Sequence, residues 1–265
     1  MGGMNINQLP ITLDQVRNIA PSVFAERPAD YVSPAYNFVQ TSKILELMME
    51  AGWKIIHAKQ QKVRDVSKKD HTKHTILLRN PQFEGVKTLG GLIPTIKMFN
   101  SHNWASTFGM NAGMMRLVCG NGLLVSGPEY ANFNIRHDKV MEDIMIILET
   151  FRTYVEKMFE RANRWNSIQV APAMIDEFAS RAAVIRFGES ATKDHANALI
   201  QVQRIEDDSP TLWNIFNTVQ ENAIKGGNKT GDMKRRIRSV TNIDADREIN
   251  TKLWELADEY ARIVD

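Results

Sequence analysis

His71-x-x-His74 is the closest histidine pair in the chain, and His57 is placed to face it across a hairpin. Clustered imidazoles could hold a metal ion. Residues three apart in a strand point to opposite faces, however, and the single cysteine, Cys119, offers no thiolate pair to complete a site. These histidines are therefore expected to be solvated or phosphate-facing, with no metal and no cofactor. Gly226-Gly227-Asn228-Lys229-Thr230 has the tail of a phosphate loop. Asn228 stands where the second glycine belongs, and a helix, not a strand, precedes it. No Gly-x-Ser-x-Gly elbow surrounds Ser101, Ser126 or Ser190. Cys119 lies in the apolar run Leu117-Val118-Cys119, the setting of a buried structural thiol. Glu206-Asp207-Asp208 precedes a helix start, where the macrodipole favours negative charge. No catalytic centre is recognisable.

A polar stretch rich in hydrogen-bonding groups, Asn100-Ser101-His102-Asn103-Trp104, ends one predicted strand, and Arg116 and Gly120-Asn121-Gly122 follow in the next pair. Asn-Gly is first a tight-turn signal. Trp104 is either a core residue or an exposed platform on which bases stack while nearby cations follow the backbone.

The elements that would carry these residues read as α+β. Prolines punctuate residues 1–35, with a short helix around Thr12–Ile19, and Ser42–Ala51 is amphipathic. Trp53–Arg64 and His74–Arg79 form a hairpin whose tip, Asp65–Lys73, is polar and basic. Leu92–Asn100 is a third strand, and Ser106–Val125 supplies a further strand or pair, bent at its glycines. The result is a curved antiparallel sheet. From Asp138 the period becomes helical: a helix of about 25 residues, then helices from Pro172, over Thr192–Arg204, after a Ser209-Pro210 cap, and over Asp244–Val264. This divides the chain into an irregular and helical segment over 1–42, a β-rich basic region over 43–137 and a helical region over 138–265, the last expected to pack with the sheet as one compact domain.

Charge gives the functional hint. In a chain of 265 residues and net charge +2, residues 52–79 hold eight Lys/Arg against Asp65 and Asp70. Residues 225–238 hold six against Asp232, which leaves about −9 for the remainder. Such sorting suits a polyanionic partner. No apolar run approaches the roughly 20 residues that cross a bilayer. No basic-then-apolar leader follows Met1, and one cysteine fits a reducing compartment, so the expected location is the cytoplasm of a bacterial host cell.

Asn100-Ser101-His102, then Met115-Arg116-Leu117-Val118-Cys119-Gly120-Asn121-Gly122, then Arg136-His137 opening a long helix, and Ile249-Asn250-Thr251-Lys252-Leu253-Trp254 follow one order. That order resembles the phage/plasmid-like protein family catalogued as domain of unknown function 932, over about residues 36 to 260. Trp104-Ala105 departs from the pattern, which has a small or glycine-containing pair there. The resemblance implies a mobile-element origin and no particular activity. A weaker likeness is to the element order of phage single-strand annealing proteins of the RecT and Red-beta kind, and implies a homo-oligomer holding single-stranded DNA along a basic groove.

The reading is a phage-type single-stranded nucleic-acid-binding protein active in strand annealing or DNA recombination. Lys54, Lys59, Lys62, Arg64, Lys68, Lys69 and Lys73 would meet phosphates from the hairpin, and Lys234, Arg235, Arg236 and Arg238 would form a second line. Arg116 and Arg136 would line the groove, and Trp104 would stack on a base. Three rivals are a module that binds a host defence or replication protein, a self-assembling protein using the hairpin for subunit contact, and an enzyme with Asn100, His102, Arg116 and His137 in one pocket.

Overall fold

The computed structural model describes residues 10–83, 92–116, 121–124, 132–133, 140–231 and 236–264. Cys119, Arg136, His137, Lys234 and Arg235 lie outside the described residues, as does the helix start proposed at Asp138. The chain divides into two compact units, one formed by Met1–Leu123 with Pro128–Glu156 and the other by Leu124–Gly127 with Lys157–Asp265.

In the first unit, α1 (Leu13–Ile19) starts at Thr12, whose hydroxyl accepts from the Gln15 amide while the Gln15 side chain accepts from the Thr12 amide. Helix α2 (Thr41–Glu50) turns Ile44, Leu45 and Met48 inward. The strands are β1 (Lys54–Gln60), β2 (His74–Arg79), β3 (Leu92–Asn100), β4 (Gly109–Arg116), β5 (Asn121–Leu124) and the short β6 (Asn132–Phe133). They form one sheet in the order β1-β2-β3-β4-β5, with β6 paired to β4. The pairings β1–β2, β2–β3, β3–β4 and β4–β6 are antiparallel.

Register sorts the two faces. Ala58, Ile76, Met98 and Met110 form one cross-strand row, and Leu78, Ile96 and Ala112 lie in another on the same face. All seven are buried, so this face carries a core, and on the opposite face Leu77 and Ile93 join Ile56 in a smaller buried cluster. Trp53 and Phe83, with Phe151 from the long helix, pack edge-on or tilted at centroid distances of 5.0–6.0 Å. Gly109 is required by close approach: a β-carbon there would lie 2.5 Å from the Phe99 ring. Asn121 and Gly122 begin a strand instead of forming a turn, because sheet pairing outweighs their local preference. Strand β1 stops at Gln60, short of the expected Arg64.

Helix α3 (Val140–Ser167) is 28 residues long, about 42 Å at 1.5 Å per residue. The boundary between units falls inside it, after Glu156, and not near residue 138 where the helical period begins. The second unit continues with α4 (Pro172–Phe187), α5 (Lys193–Leu199), α6 (Leu212–Lys225) and α7 (Ile243–Val264). Helix α6 is its centre. Twelve consecutive residues from Leu212 to Ala223 are buried, beyond the apolar stripe seen in the sequence. Its inward polar groups are matched: Gln220 donates to Asn250 at 2.7 Å, and Asn222 donates to the Leu199 and Gln201 carbonyls. The cap is Thr211, which accepts from the Asn214 amide at 3.2 Å, and not Ser209-Pro210; Ser209 instead accepts from the Asn214 side chain. Trp165, Trp213, Phe216 and Trp254 fill the core with ring centroids 4.4–6.3 Å apart.

Candidate nucleic-acid interface

One end of the sheet in the first unit gathers the features expected of a polyanion contact. The β1–β2 connection leaves Lys62, Arg64, Lys68 and Lys69 exposed, and a 3-10 turn, Val66–His71, orders its second half. Asp65 caps that turn by accepting from the Ser67 amide and hydroxyl, which hold its carboxyl below the usual carboxylate range. Lys68 approaches Asp65 at 3.8 Å with both groups solvated, a pair of small energetic weight. Beside the turn runs the segment after β3. The His102 amide donates to the His71 carbonyl at 2.9 Å, which ties the Trp104 loop to the basic turn.

Trp104 is 62% exposed and is the one described non-glycine residue with positive φ, 65°. Left-handed backbone is uncommon for a bulky side chain and costs of order 1–2 kcal/mol. The loop is over-determined by its neighbours. Ser101 Oγ accepts from the Ser106 amide at 2.7 Å and donates to the Ser106 carbonyl at 2.9 Å. The Tyr36 hydroxyl donates to the Ser101 carbonyl at 2.7 Å, and its ring lies against Trp104 at 6.1 Å and 29°. Burial pushes the Tyr36 hydroxyl pKa up, so it stays a donor. Trp104 is therefore not a core residue.

Beneath this edge lies a buried polar network, which corrects the expectation of a solvated His74: it is 1% exposed, and His102 beside it is 0%. Gln60, His74 and Asn100 form the last cross-strand row of β1, β2 and β3, on the core face. The donors and acceptors fix the protons. Gln60 Oε1 accepts from the Ser22 amide at 2.9 Å, and therefore also from Ser22 Oγ at 2.7 Å. With that hydroxyl proton committed, His74 Nδ1 faces only acceptors, Ser22 Oγ at 2.9 Å and the Thr72 carbonyl at 3.1 Å, and must carry hydrogen. His74 Nε2 is then a lone pair that takes the Thr41 hydroxyl proton at 3.0 Å. Thr41 Oγ1 in turn accepts from Asn100 Nδ2 at 2.9 Å, and His102 Nε2 lies 3.3 Å from it. His102 Nδ1 is buried and makes no hydrogen bond of ordinary geometry.

Both rings are neutral. Burial, partly offset by the Thr72 carbonyl, lowers the His74 pKa to about 4. For His102, burial and then the adjacent His74 and His71 lower it to about 3, and the Ser22 backbone only partly opposes them. The network joins the 3-10 turn Pro21–Phe24, the first residue of α2, the start of β2 and the end of β3. It sets the position of the basic turn and the Trp104 loop.

The remaining residues expected at the interface separate. Lys54 pairs with Arg79 at the far end of β1, about 20 Å of strand from Gln60, and is not part of the cationic edge. Lys59 shares a row with Thr75 and Phe99, on the sheet face opposite His74. The neighbouring row on that face carries His57 and Lys97, the latter a cation not singled out from sequence. Lys73 is half-buried, beside β2. Arg116 ends β4, and its side chain is outside the described set. Arg236 and Arg238 are exposed in the second unit. Of the four residues considered for a catalytic pocket, Asn100 and His102 meet at Thr41, in the core and away from solvent.

Sequence reasoning missed the inward course of His74, although His74, Ile76 and Leu78 alternate on one face and could have shown it. Among the described residues no group of three His, Cys, Asp or Glu side chains could hold a metal ion. None of their helices is long and apolar enough to cross a membrane.

A family model described as "Domain of unknown function (DUF932)" matches residues 28–254. The chain is 32% identical over 257 residues to the UPF0380 protein YfjQ of Escherichia coli (strain K12), covering 94% of this chain and 91% of that protein. It is 31% identical to the UPF0380 protein YafZ of the same strain, with the same coverage. No solved structure matches the chain.

Proposed function

The chain belongs to the DUF932 family, and from that premise we propose that it binds single-stranded nucleic acid along the cationic edge of its first unit, as a phage- or plasmid-type annealing or recombination factor of the bacterial cytoplasm. The observation that carries this reading is Trp104, exposed on a strained backbone and tied through His102 and His71 to the turn bearing Lys68 and Lys69. An unpaired base offers a flat face for such a ring, whereas a duplex keeps its bases stacked internally. Lys62, Arg64, Lys68 and Lys69 would neutralise phosphates and release counterions. Arg236 and Arg238 would add contacts from the second unit.

Fluorescence anisotropy of labelled single- and double-stranded oligonucleotides, at low and physiological salt, tests this. The expected result is preference for single strands and an affinity that falls by roughly 0.7 log units per log unit of salt for each phosphate contact. Trp104→Ala should weaken binding by roughly 5- to 150-fold, since one stacked base is worth roughly 1–3 kcal/mol. Absence of binding at low salt rejects the reading, and so does unchanged binding after charge reversal at Lys62, Lys68 and Lys69.

A further inference from the structure

The second unit holds a largely apolar cavity of about 220 Å³ lined by Ile175, Ile200, Val202, Pro210 and Ile215, with Asp207, Asp208, Ser209 and Thr218 as its polar lining. An engineered cavity of about 150 Å³ admits benzene, so this one has room for a branched aliphatic side chain. Its surroundings are unusual for a solvated surface. Val202, which lines the cavity, is 48% exposed, and Ile205, in the segment that leads on to Asp208, is 87% exposed. Glu206 and Asp208 are exposed there as well. The cation of that segment, Arg204, is turned to Glu221 in a bidentate pair at 2.6 and 2.8 Å. What faces solvent is an apolar hollow with a negative rim.

The first unit carries the complement of that rim. Val66 is 78% exposed at the start of the 3-10 turn, in a loop where Lys62, Arg64, Lys68 and Lys69 outnumber the exposed Asp65 and Asp70. It is a branched aliphatic side chain displayed in a cationic loop. We infer that the Val66 loop of one copy of this chain docks into the acid-rimmed cavity of a second copy, with Val66 entering between Val202 and Ile215 and the flanking cations meeting Glu206 and Asp208. Donor and acceptor are different surfaces, so the contact is heterologous and propagates head to tail into a ring or filament. A contact made by one loop falls well short of the roughly 1,200 Å² of a stable interface, so each link is weak and salt-sensitive.

Light scattering of the full chain, without nucleic acid, tests this independently of the proposed function. Average mass should rise with protein concentration at low salt and return to the monomer value at about 1 M salt, where the screening length is about 3 Å. Val66→Asp and Asp208→Arg should each abolish the rise while leaving the unfolding midpoint unchanged, both positions being exposed. The decisive experiment mixes the two variants. The Val66→Asp copy still offers a cavity and the Asp208→Arg copy still offers a loop, so the mixture should form two-protomer species and nothing longer. A wild-type mass that stays monomeric up to millimolar protein overturns the inference, as do single variants that associate like wild type or a mixture that forms no dimer.

Discussion

The two units differ in how they use tryptophan and charge. The first buries Trp53 against Phe83 and Phe151, buries histidine, asparagine, serine and threonine side chains at the end of its sheet, and leaves Trp104 in solvent. The second buries Trp165, Trp213 and Trp254 together and matches its cations to carboxylates: Arg161 to Asp258 at 2.8 Å, Arg181 to Glu259 at 2.6 Å, and Arg204 and Lys225 to Glu221. Among the described residues, Lys62, Arg64 and Lys69 have no such carboxylate. A core built from aromatic rings is tolerant in detail and strong in sum. A core built from a directed chain of hydrogen bonds fixes geometry and fails sharply when one link is removed. The aromatic arrangement suits a scaffold, and the hydrogen-bonded one suits a surface whose loops must be held in one conformation.

The contrast can be broken most forcefully by truncating one tryptophan in each unit. Trp165→Ala should cost about 3–5 kcal/mol in urea unfolding, whereas Trp104→Ala should stay within about 0.5 kcal/mol of wild type. Equal losses would show that exposure does not separate their roles. Thr41→Val comes next. It keeps the side-chain volume but removes the hydroxyl that accepts from Asn100, lies 3.3 Å from His102 Nε2 and donates to His74, and should cost about 2–4 kcal/mol. Thr211→Val in the second unit removes only a helix cap, and about 1 kcal/mol is expected.

Acid should unfold the two units differently. Because His74 and His102 have folded pKa values of about 4 and 3, below the ordinary 6.5, the unfolded chain takes up protons first. Their contribution is complete above pH 6.5 and is lost as pH falls from there towards 4 and 3, each at most on the order of 3–5 kcal/mol. Imidazole resonances followed by NMR should show no protonation of either ring in the folded protein at pH 5.5. A ring that titrates near 6.5 would dissolve the proposed network. The smallest effect is a null: Lys68→Glu with Lys69→Glu should leave the unfolding midpoint within about 0.5 kcal/mol while single-strand binding is lost.

Much of this molecule could be read from its sequence where period and chemistry agree. The third strand spans Leu92–Asn100 as expected, the amphipathic repeats mark α3, α6 and α7, and Pro172 and Gly188 bracket α4. Boundaries shifted where a local signal competed with a tertiary one. Ser209-Pro210 looked like a cap, but Thr211 is the residue whose hydroxyl reaches the Asn214 amide. Asn121-Gly122 looked like a turn, but the sheet claimed it. The site was half legible. Exposed lysines on a hairpin tip announce themselves by composition. The histidine network does not, because Ser22, Thr41, His74 and His102 lie up to 80 positions apart and meet only when strand ends, a helix start and a 3-10 turn converge. Nor could composition separate Lys54 from the tip, since that separation is a matter of strand direction.

The uneven placement of the tryptophans has a spectroscopic consequence. Trp53, Trp165, Trp213 and Trp254 are at most 2% exposed, while Trp104 stands in water at the cationic edge. The red edge of the intrinsic emission, and the part quenched by a dissolved collider, therefore comes from a single indole. The protein carries its own label at the place where a ligand is proposed to land. Whatever covers that ring will announce itself as a blue shift and a loss of quenching, without any dye attached.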